Sequence, residues 1–338
     1  MNLSKQNNRK SNIELLRIII MFAIFINHMI SHGILLDTLY KPGESLFIQS
    51  IIKLGISVWI PAAMIFVLIS GYWGIKPSWK SLIKFSVLCA FYSMFSYIIG
   101  NKPFTFIGLL KSIIFISERF TGLWFVSSYF YLYCMTPIIN TWLCQIDKQK
   151  MKIYLICFIL ADITLGFLMD NKLISMPIHF VLLYSIGHYL KVSNDNWIIK
   201  STIPQCLLGW LITTSVLFVL AMLFNNPHKC FHYMNPIITG QSIFILLVFT
   251  KIRIRNSIRI NYLAASTFPV YLLSENINTR DYFVQGIQFL QQYLPHLLFI
   301  ATFIFLCTIS YFALIFIDKF FSLIYKPITN KIINTFKL

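Results

Sequence analysis

The sequence predicts an all-α, polytopic membrane protein, a bundle of about ten transmembrane helices. Three observations carry that prediction. Hydrophobic residues make up 57% of the 338 and charged residues only 12%, against roughly 45–50% and 25% in soluble domains. The apolar residues are gathered into long continuous runs, unlike the short alternating strands of an outer-membrane barrel. The basic residues divide unevenly between the segments that separate those runs. A soluble fold of this size keeps roughly a quarter of its chain area exposed, and a mean hydropathy of +0.73 leaves too little polar surface to cover it. An ordinary cytosolic enzyme, a disordered chain and a secreted disulfide scaffold are excluded on that ground.

A helix needs about 20 mostly apolar residues to cross the bilayer. Ten segments qualify, at 13–31, 47–73, 81–99, 122–141, 152–169, 174–190, 203–224, 236–251, 259–277 and 294–317. The first follows a basic start (Lys5, Arg9, Lys10) with no small-residue cleavage site behind it, so it reads as an uncleaved helix and not as a signal peptide. Residues 103–117 form a further amphipathic piece, expected at the surface or as a re-entrant helix. No linker, internal repeat or low-complexity stretch interrupts the chain, so residues 1–338 read as a single integral-membrane domain.

The formal net charge of +17 would point to nucleic acid in a soluble protein. Here basic loops facing an anionic cytoplasmic leaflet produce the same sum, and no nucleic-acid partner is expected. With the N-terminus inside, nineteen of the 28 basic residues fall on the cytoplasmic side and seven outside, while Arg17 and Lys53 fall within helix ends. That split supports a multi-pass protein of the cell membrane with both termini cytoplasmic. The seven cysteines show no zinc or redox spacing and read as small apolar fillers.

Ionisable groups inside apolar helices cost about 2.5–3.5 kcal/mol on insertion scales, so they are where chemistry is sought. In the first helix Arg17 and His28 are eleven positions apart, close to three turns, which puts them on one face about 16 Å apart. Glu14 precedes Arg17 by three residues and can pair with it. Arg17 snorkelling to headgroups and His28 resting at the interface is the competing reading. A neutral imidazole accepts a proton at pH 7, which makes His28 a candidate general base. Asp162 lies within the fifth run and needs a partner. His179 and His188 are nine residues apart and face opposite ways, so no shared metal site is expected. His228 and His232 read as loop residues, and Ser127 and Ser128 have no histidine or acid close in sequence.

Four motifs in order resemble the integral-membrane acyltransferases known as acyltransferase family three. The first is Arg17, ten residues, His28. The second is Ser70-Gly71-Tyr72 near the end of the second run. The third is Gly122-Leu123-Trp124-Phe125 opening the fourth run, with Pro137 near its end. The fourth is Tyr271-Leu272-Leu273-Ser274-Glu275-Asn276, with Arg280 following. Two departures stand out. Ser274 occupies a position where many members carry histidine, and Lys76, Lys80 and Lys84 replace the paired arginines that often follow the second helix. If the chain is already helical there, the three ammoniums line one face, suited to the phosphates of an acyl-coenzyme A although each lysine binds as a point charge. Ordinary positive-inside charge explains the same residues.

The resemblance implies transfer of an acyl group, acetyl first among them, from cytoplasmic acyl-coenzyme A (acetyl-coenzyme A) to a hydroxyl of a surface polysaccharide or lipid-linked oligosaccharide. His28, Arg17 and Glu275 are the expected catalytic residues. His28 serves as base on the sugar hydroxyl or as a transient acyl relay. Arg17 holds the donor or stabilises charge on its path. Glu275, among Ser274, Asn276 and Asn278, orients His28 or binds a sugar hydroxyl. Lys76, Lys80, Lys84 and Trp124 are the expected donor-binding residues, with Tyr72 and Tyr271 as further walls. No metal is expected. Peptidoglycan-directed members carry an appended hydrolase-like domain that this sequence does not show, which favours a free or lipid-linked glycan in a membrane-lipid setting. The rival reading is a non-enzymatic carrier that flips lipid-linked oligosaccharide, and a third is a glycan polymerase, although no outer loop here has the length and paired arginines usual for one.

Overall fold

The computed structural model describes residues 10–34, 46–101, 103–169, 172–193, 200–224 and 229–336. Lys5, Arg9 and His228 lie outside the described residues. Among the described residues there are helices and connections and no strand. α1 is Ser11–His28 and continues into a π-helical turn, Met29–Gly33. α2 is Leu46–Trp59, α3 Ala62–Trp73, α4 Trp79–Ile99 and α5 Phe106–Ile113, followed by the single turn α6, Glu118–Thr121. Then come α7 (Trp124–Gln145), α8 (Lys148–Asp162) with a second π-helical turn Ile163–Leu168, α9 (Lys172–Val192), α10 (Ile203–Leu223) and α11 (Pro236–Lys251). α12 (Ile258–Ala264), α13 (Thr267–Ser274), α14 (Arg280–Tyr293) and α15 (His296–Thr335) complete the chain.

Every apolar run of the sequence is helical here. Among the described residues six segments are long and apolar enough to cross a membrane: Ser11–Gly33, Leu46–Trp73, Trp79–Ile99, Lys148–Leu168, Ile203–Leu223 and His296–Thr335. The protein is an all-α polytopic membrane protein. The ninth run breaks at Ala265–Ser266 into α12 and α13. The tenth does not stop at 317 but runs 40 residues to Thr335, about 60 Å of helix against a hydrocarbon core of about 30 Å. Hydropathy falls after 317, yet lysines such as Lys319 and Lys326 favour helix, so hydropathy alone ends the run too early. Lys53 corrects another expectation: it sits in the middle of α2, buried, and not at a helix end. The amphipathic piece at 103–117 contains α5, which is largely exposed.

The order of burial sets the architecture. In α1, 72% of the apolar window is buried, and in α2–α3 67%, whereas the other four crossing segments show 22–28%. α1 and α3 are therefore the centre, and α4, α8, α10 and α15 present most of their apolar surface outward, as helices facing lipid do. The start of α1 is tied down by short polar side chains. Asn12 Nδ2 donates to the carbonyls of Phe249 (2.7 Å) and Ile252 (3.1 Å). Ser11 Oγ donates to Asn261 Oδ1 (3.1 Å) and accepts from the Ser257 backbone N–H (2.8 Å). Further along α1, the Tyr311 hydroxyl of α15 donates to the Ile18 carbonyl (2.8 Å).

α3 crosses α9 at backbone contact. A Cβ on Gly71 would lie 2.0 Å from the Tyr184 carbonyl oxygen, and one on Gly187 2.4 Å from that of Leu68. Small residues let helices in lipid approach this closely, which is a packing reason for the glycine of Ser70-Gly71-Tyr72. Replacing Gly71 by Ala overpacks this crossing at a cost of about 1–3 kcal/mol. The detergent-solubilised Gly71→Ala variant should therefore melt at a clearly lower temperature than wild type. Gly286→Ala, where an added Cβ meets nothing within 4 Å, should not. Equal melting of all three proteins would refute this account of the crossing.

Candidate active site

His28 closes α1 and Glu275 caps the C-terminal end of α13. The fold brings them together. Glu275 is 3% exposed. Its Oε2 lies 3.1 Å from His28 Nδ1, a close approach whose angle falls short of an aligned hydrogen bond. Its Oε1 is 3.1 Å from His32 Nε2, aligned as a hydrogen bond, and 3.6 Å from an Arg280 guanidinium nitrogen. A carboxylate at a helix C-terminus meets the negative end of the helix dipole and here is also shut away from water. Two imidazoles and a guanidinium supply the compensation.

The segment that carries Glu275 is held by its own backbone. The Ile277 N–H donates to the Thr121 carbonyl (3.0 Å), and Thr279 Oγ1 donates to the Leu273 carbonyl. Asn276 Oδ1 accepts from both the backbone N–H (3.1 Å) and the side-chain amide (3.0 Å) of Asn278. On the other side Gly122 ends α6 with φ +75°, and a Cβ there would fall 2.4 Å from Ile277. Only glycine takes that conformation without strain, and it admits the 275–279 segment against the start of α7.

An open cavity of about 570 Å³ lies over this cluster. Asn27, His28, Ser31 and His32 line it from α1 and its π-turn, Arg119 and Trp124 from α6 and α7, and Glu275 and Arg280 from the α13–α14 turn. Tyr233, from the connection between α10 and α11, stacks at a tilt on Trp124, with ring centres 4.8 Å apart. Burial, with the negative charge of Glu275 adding to it, pushes the Tyr233 phenol up, so it stays protonated at neutral pH. Asn27 Oδ1 in the cavity wall, and Ser274 Oγ and Asn276 Nδ2 on either side of Glu275, are buried without a protein hydrogen-bond partner. Buried polar groups are rarely left so, and Asn27 is placed to meet a polar ligand in the cavity. Among the described residues no group of three His, Cys, Asp or Glu could hold a metal ion.

Beneath His28 the wall is aromatic. A small pocket is lined by Met21, Ile24 and His28 of α1 together with Phe66, Phe125 and Tyr271. The Phe125 ring stacks on that of Tyr129 (5.8 Å, 15°), and Tyr129 shares a 3.0 Å hydrogen bond with Ser70. Arg17 occupies the same face of α1 as Met21, Ile24 and His28, toward the Ser11 end. It is paired with Glu14 at 2.7 Å and is not brought to His28.

The lysine row falls differently from the expectation. α4 begins at Trp79 with Ser78 as its N-cap, so Lys76 precedes the helix and only Lys80 and Lys84 share a helical face. All three are exposed. The strap before α4 is pinned: Tyr133 OH accepts from the Ser78 N–H (3.0 Å), and the Ile75 N–H donates to Tyr184 OH (2.9 Å). Phe66 is at the level of His28 and Ser70 at that of Tyr129, so the strap lies at the end of the bundle beyond Arg17, away from the cavity.

Other candidates find structural partners. Asp162 meets His179 at 2.8 Å, both buried. Ser127 Oγ donates to the Ile116 carbonyl (2.6 Å). His232 lies beside Phe167. The reading from sequence missed four residues. His32, four positions after His28, was visible as a second histidine at helical spacing. Arg119 and Tyr233 arrive from distant segments and carry no local signal. Asp318, which accepts from Tyr92 OH (2.6 Å) and Tyr325 OH (3.1 Å) in a buried cluster, lies one residue past the predicted end of its helix.

A family model described as an acyltransferase domain matches residues 10–318, nearly the whole chain. The chain belongs to acyltransferase family three and is an enzyme that transfers acyl groups, which sets the carrier reading aside. Neither a curated protein nor a solved structure matches it. Glu275→Gln keeps the shape of the side chain and removes the charge that three donors face. Mispairing the carboxylate partner of a catalytic imidazole costs up to roughly 10⁴-fold in kcat. Acyl transfer by this variant should fall at least about 100-fold with an unchanged amount of protein in the membrane. Activity within a few-fold of wild type would show that Glu275 does not serve the reaction.

Proposed function

We propose that this member of acyltransferase family three moves a short acyl group, acetyl first among them, from cytoplasmic acyl-coenzyme A to a hydroxyl of a surface or lipid-linked polysaccharide. The observation that supports this reading most is the His28–Glu275 contact at the base of an open, polar cavity. A carboxylate beside Nδ1 favours the Nδ1–H tautomer and leaves Nε2 as the lone-pair nitrogen. That nitrogen takes the proton of the acceptor hydroxyl as the oxygen attacks the thioester carbonyl. The new C–O bond forms, the C–S bond breaks, and the proton passes from His28 to the departing thiolate. Atoms and charge balance, and no net proton is released.

The donor approaches from the opposite end. The stripe Arg17, Met21, Ile24, His28 along α1, beside the Tyr129–Phe125–Tyr271 aromatic contacts, is the path this reading assigns to the acyl group. Lys76, Lys80 and Lys84 offer cations for the donor's phosphates at that end, which the positive-inside rule makes cytoplasmic, with both termini on the same side. Trp124, expected to bind the donor, lines the cavity with Tyr233 stacked against it, and this reading gives the pair to the acceptor sugar instead.

The reading is tested with purified protein, labelled acetyl-coenzyme A and the host's surface glycan. Label should enter the glycan with wild type. A general base contributes roughly 10²–10⁴-fold, so His28→Ala and His28→Gln should each lose most of that transfer. Transfer at the wild-type rate by either variant would remove His28 from the mechanism, and label that never reaches glycan would overturn the acceptor. For the lysines, exposed ionic contacts are worth about 0.2–1 kcal/mol each. Replacing all three by Gln should raise the donor KM by about 10-fold, and an unchanged KM would leave them as topological charge alone.

A further inference from the structure

Three cationic or cationisable side chains face Glu275, and they divide unevenly between its two oxygens. Its two oxygens are divided. Oε2 faces His28, while Oε1 receives His32 Nε2 at 3.1 Å with Arg280 at 3.6 Å on the same atom. The imidazole bond is aligned, and the guanidinium stands at more than hydrogen-bond distance. Yet Arg is the side chain best shaped to clasp a carboxylate through both oxygens at once. Left alone with Glu275, Arg280 would draw the carboxylate into such a fork and away from His28. His32 occupies the oxygen through which that fork would close.

His32 is placed for this by the π-helical turn Met29–Gly33. The turn is backed by α14, so closely that a Cβ on Gly33 would lie 2.7 Å from Ile287. α14 also begins with Arg280, so one helix braces the histidine and presents its competitor. π-turns interrupt α-helices most often at functional sites. The His32 side chain is 34% exposed in the cavity, against 7% for His28.

We propose that His32 is a positioning residue of the acyltransferase site: its Nε2–H holds Oε1 of Glu275 against the pull of Arg280, which keeps Oε2 on His28 Nδ1 and His28 in its working tautomer. The inference rests on the reading of His28 as the base. It assigns His32 no contact with the reacting atoms, so the effect of its loss falls on kcat and spares the donor KM.

The test compares His32→Ala, His32→Gln and His32→Asn with wild type in full-length protein, following transfer from labelled acetyl-coenzyme A. Gln places an amide N–H near the position of Nε2, whereas Asn reaches only the position of Nδ1. His32→Ala should lower kcat by about 10- to 100-fold, the range typical of groups that orient a reactive ligand from behind, with the donor KM unchanged. His32→Gln should recover to within a few-fold of wild type, and His32→Asn should stay as low as His32→Ala. Wild-type kcat in His32→Ala overturns the proposal. Loss of activity in His32→Gln as deep as in His32→Ala also overturns it, because a residue that itself takes up a proton is not replaced by an amide. If His28→Ala is inactive while His32→Ala is unaffected, only the role of His32 falls. If wild type transfers no label at all, the acyl-coenzyme A reading falls first.

Discussion

A carboxylate buried at the C-terminal end of a helix is the constraint on which this site depends. Glu275 gains nothing from the dipole of α13 and little from water. It is tolerable only where donors converge from elsewhere, and they come from three places: the end of α1, the π-turn after it, and the first residue of α14. The features that position those donors follow from this requirement. The Ser11 and Asn12 bonds fix where α1 starts. The bond from Ile277 to Thr121 and the left-handed Gly122 fix where α13 ends relative to α7.

Two other buried acids, Asp162 and Asp318, have different surroundings in the same bundle. Asp162 is matched by one imidazole from the neighbouring helix α9. Asp318 is matched by two phenols, which pin α15 to α4. Glu275 differs in two respects that belong together. It has more cationic or cationisable partners than neutralisation requires, and it borders an open cavity. His28, His32 and Arg280 all border that cavity, where a ligand can meet them, and the Asn27 Oδ1 beside them has no protein partner.

Two ionisable side chains are held apart along one face of α1. Arg17 and His28 stand on the same stripe of α1, about 16 Å apart by helical rise, and the structure keeps them apart with an aromatic column between. Arg17 is spoken for by Glu14, so its contribution lies at the far end of that column and not at the imidazole.

Much of this was legible in the sequence. Helix positions follow from apolar runs because a backbone in lipid must satisfy its own hydrogen bonds, and a helix does so within one segment. The shared face of Arg17 and His28 follows from 3.6 residues per turn. The motif order places the chain among membrane acyltransferases, and Glu275 stood out as an ionisable group in an apolar run. What the sequence does not contain is which helix meets which. The contact of His28 with Glu275 spans 247 positions (275 − 28), and no local spacing encodes it. Tyr233 and Arg119 join the cavity for the same reason. The α4 boundary that removes Lys76 from the lysine face depends on a cap at Ser78 and on straps to Tyr133 and Tyr184, side chains from two other helices. Local periodicity determines the elements because its physics acts within one turn. The site was decided by tertiary packing, because a buried charge accepts whichever donors the crossing helices bring within about 3 Å.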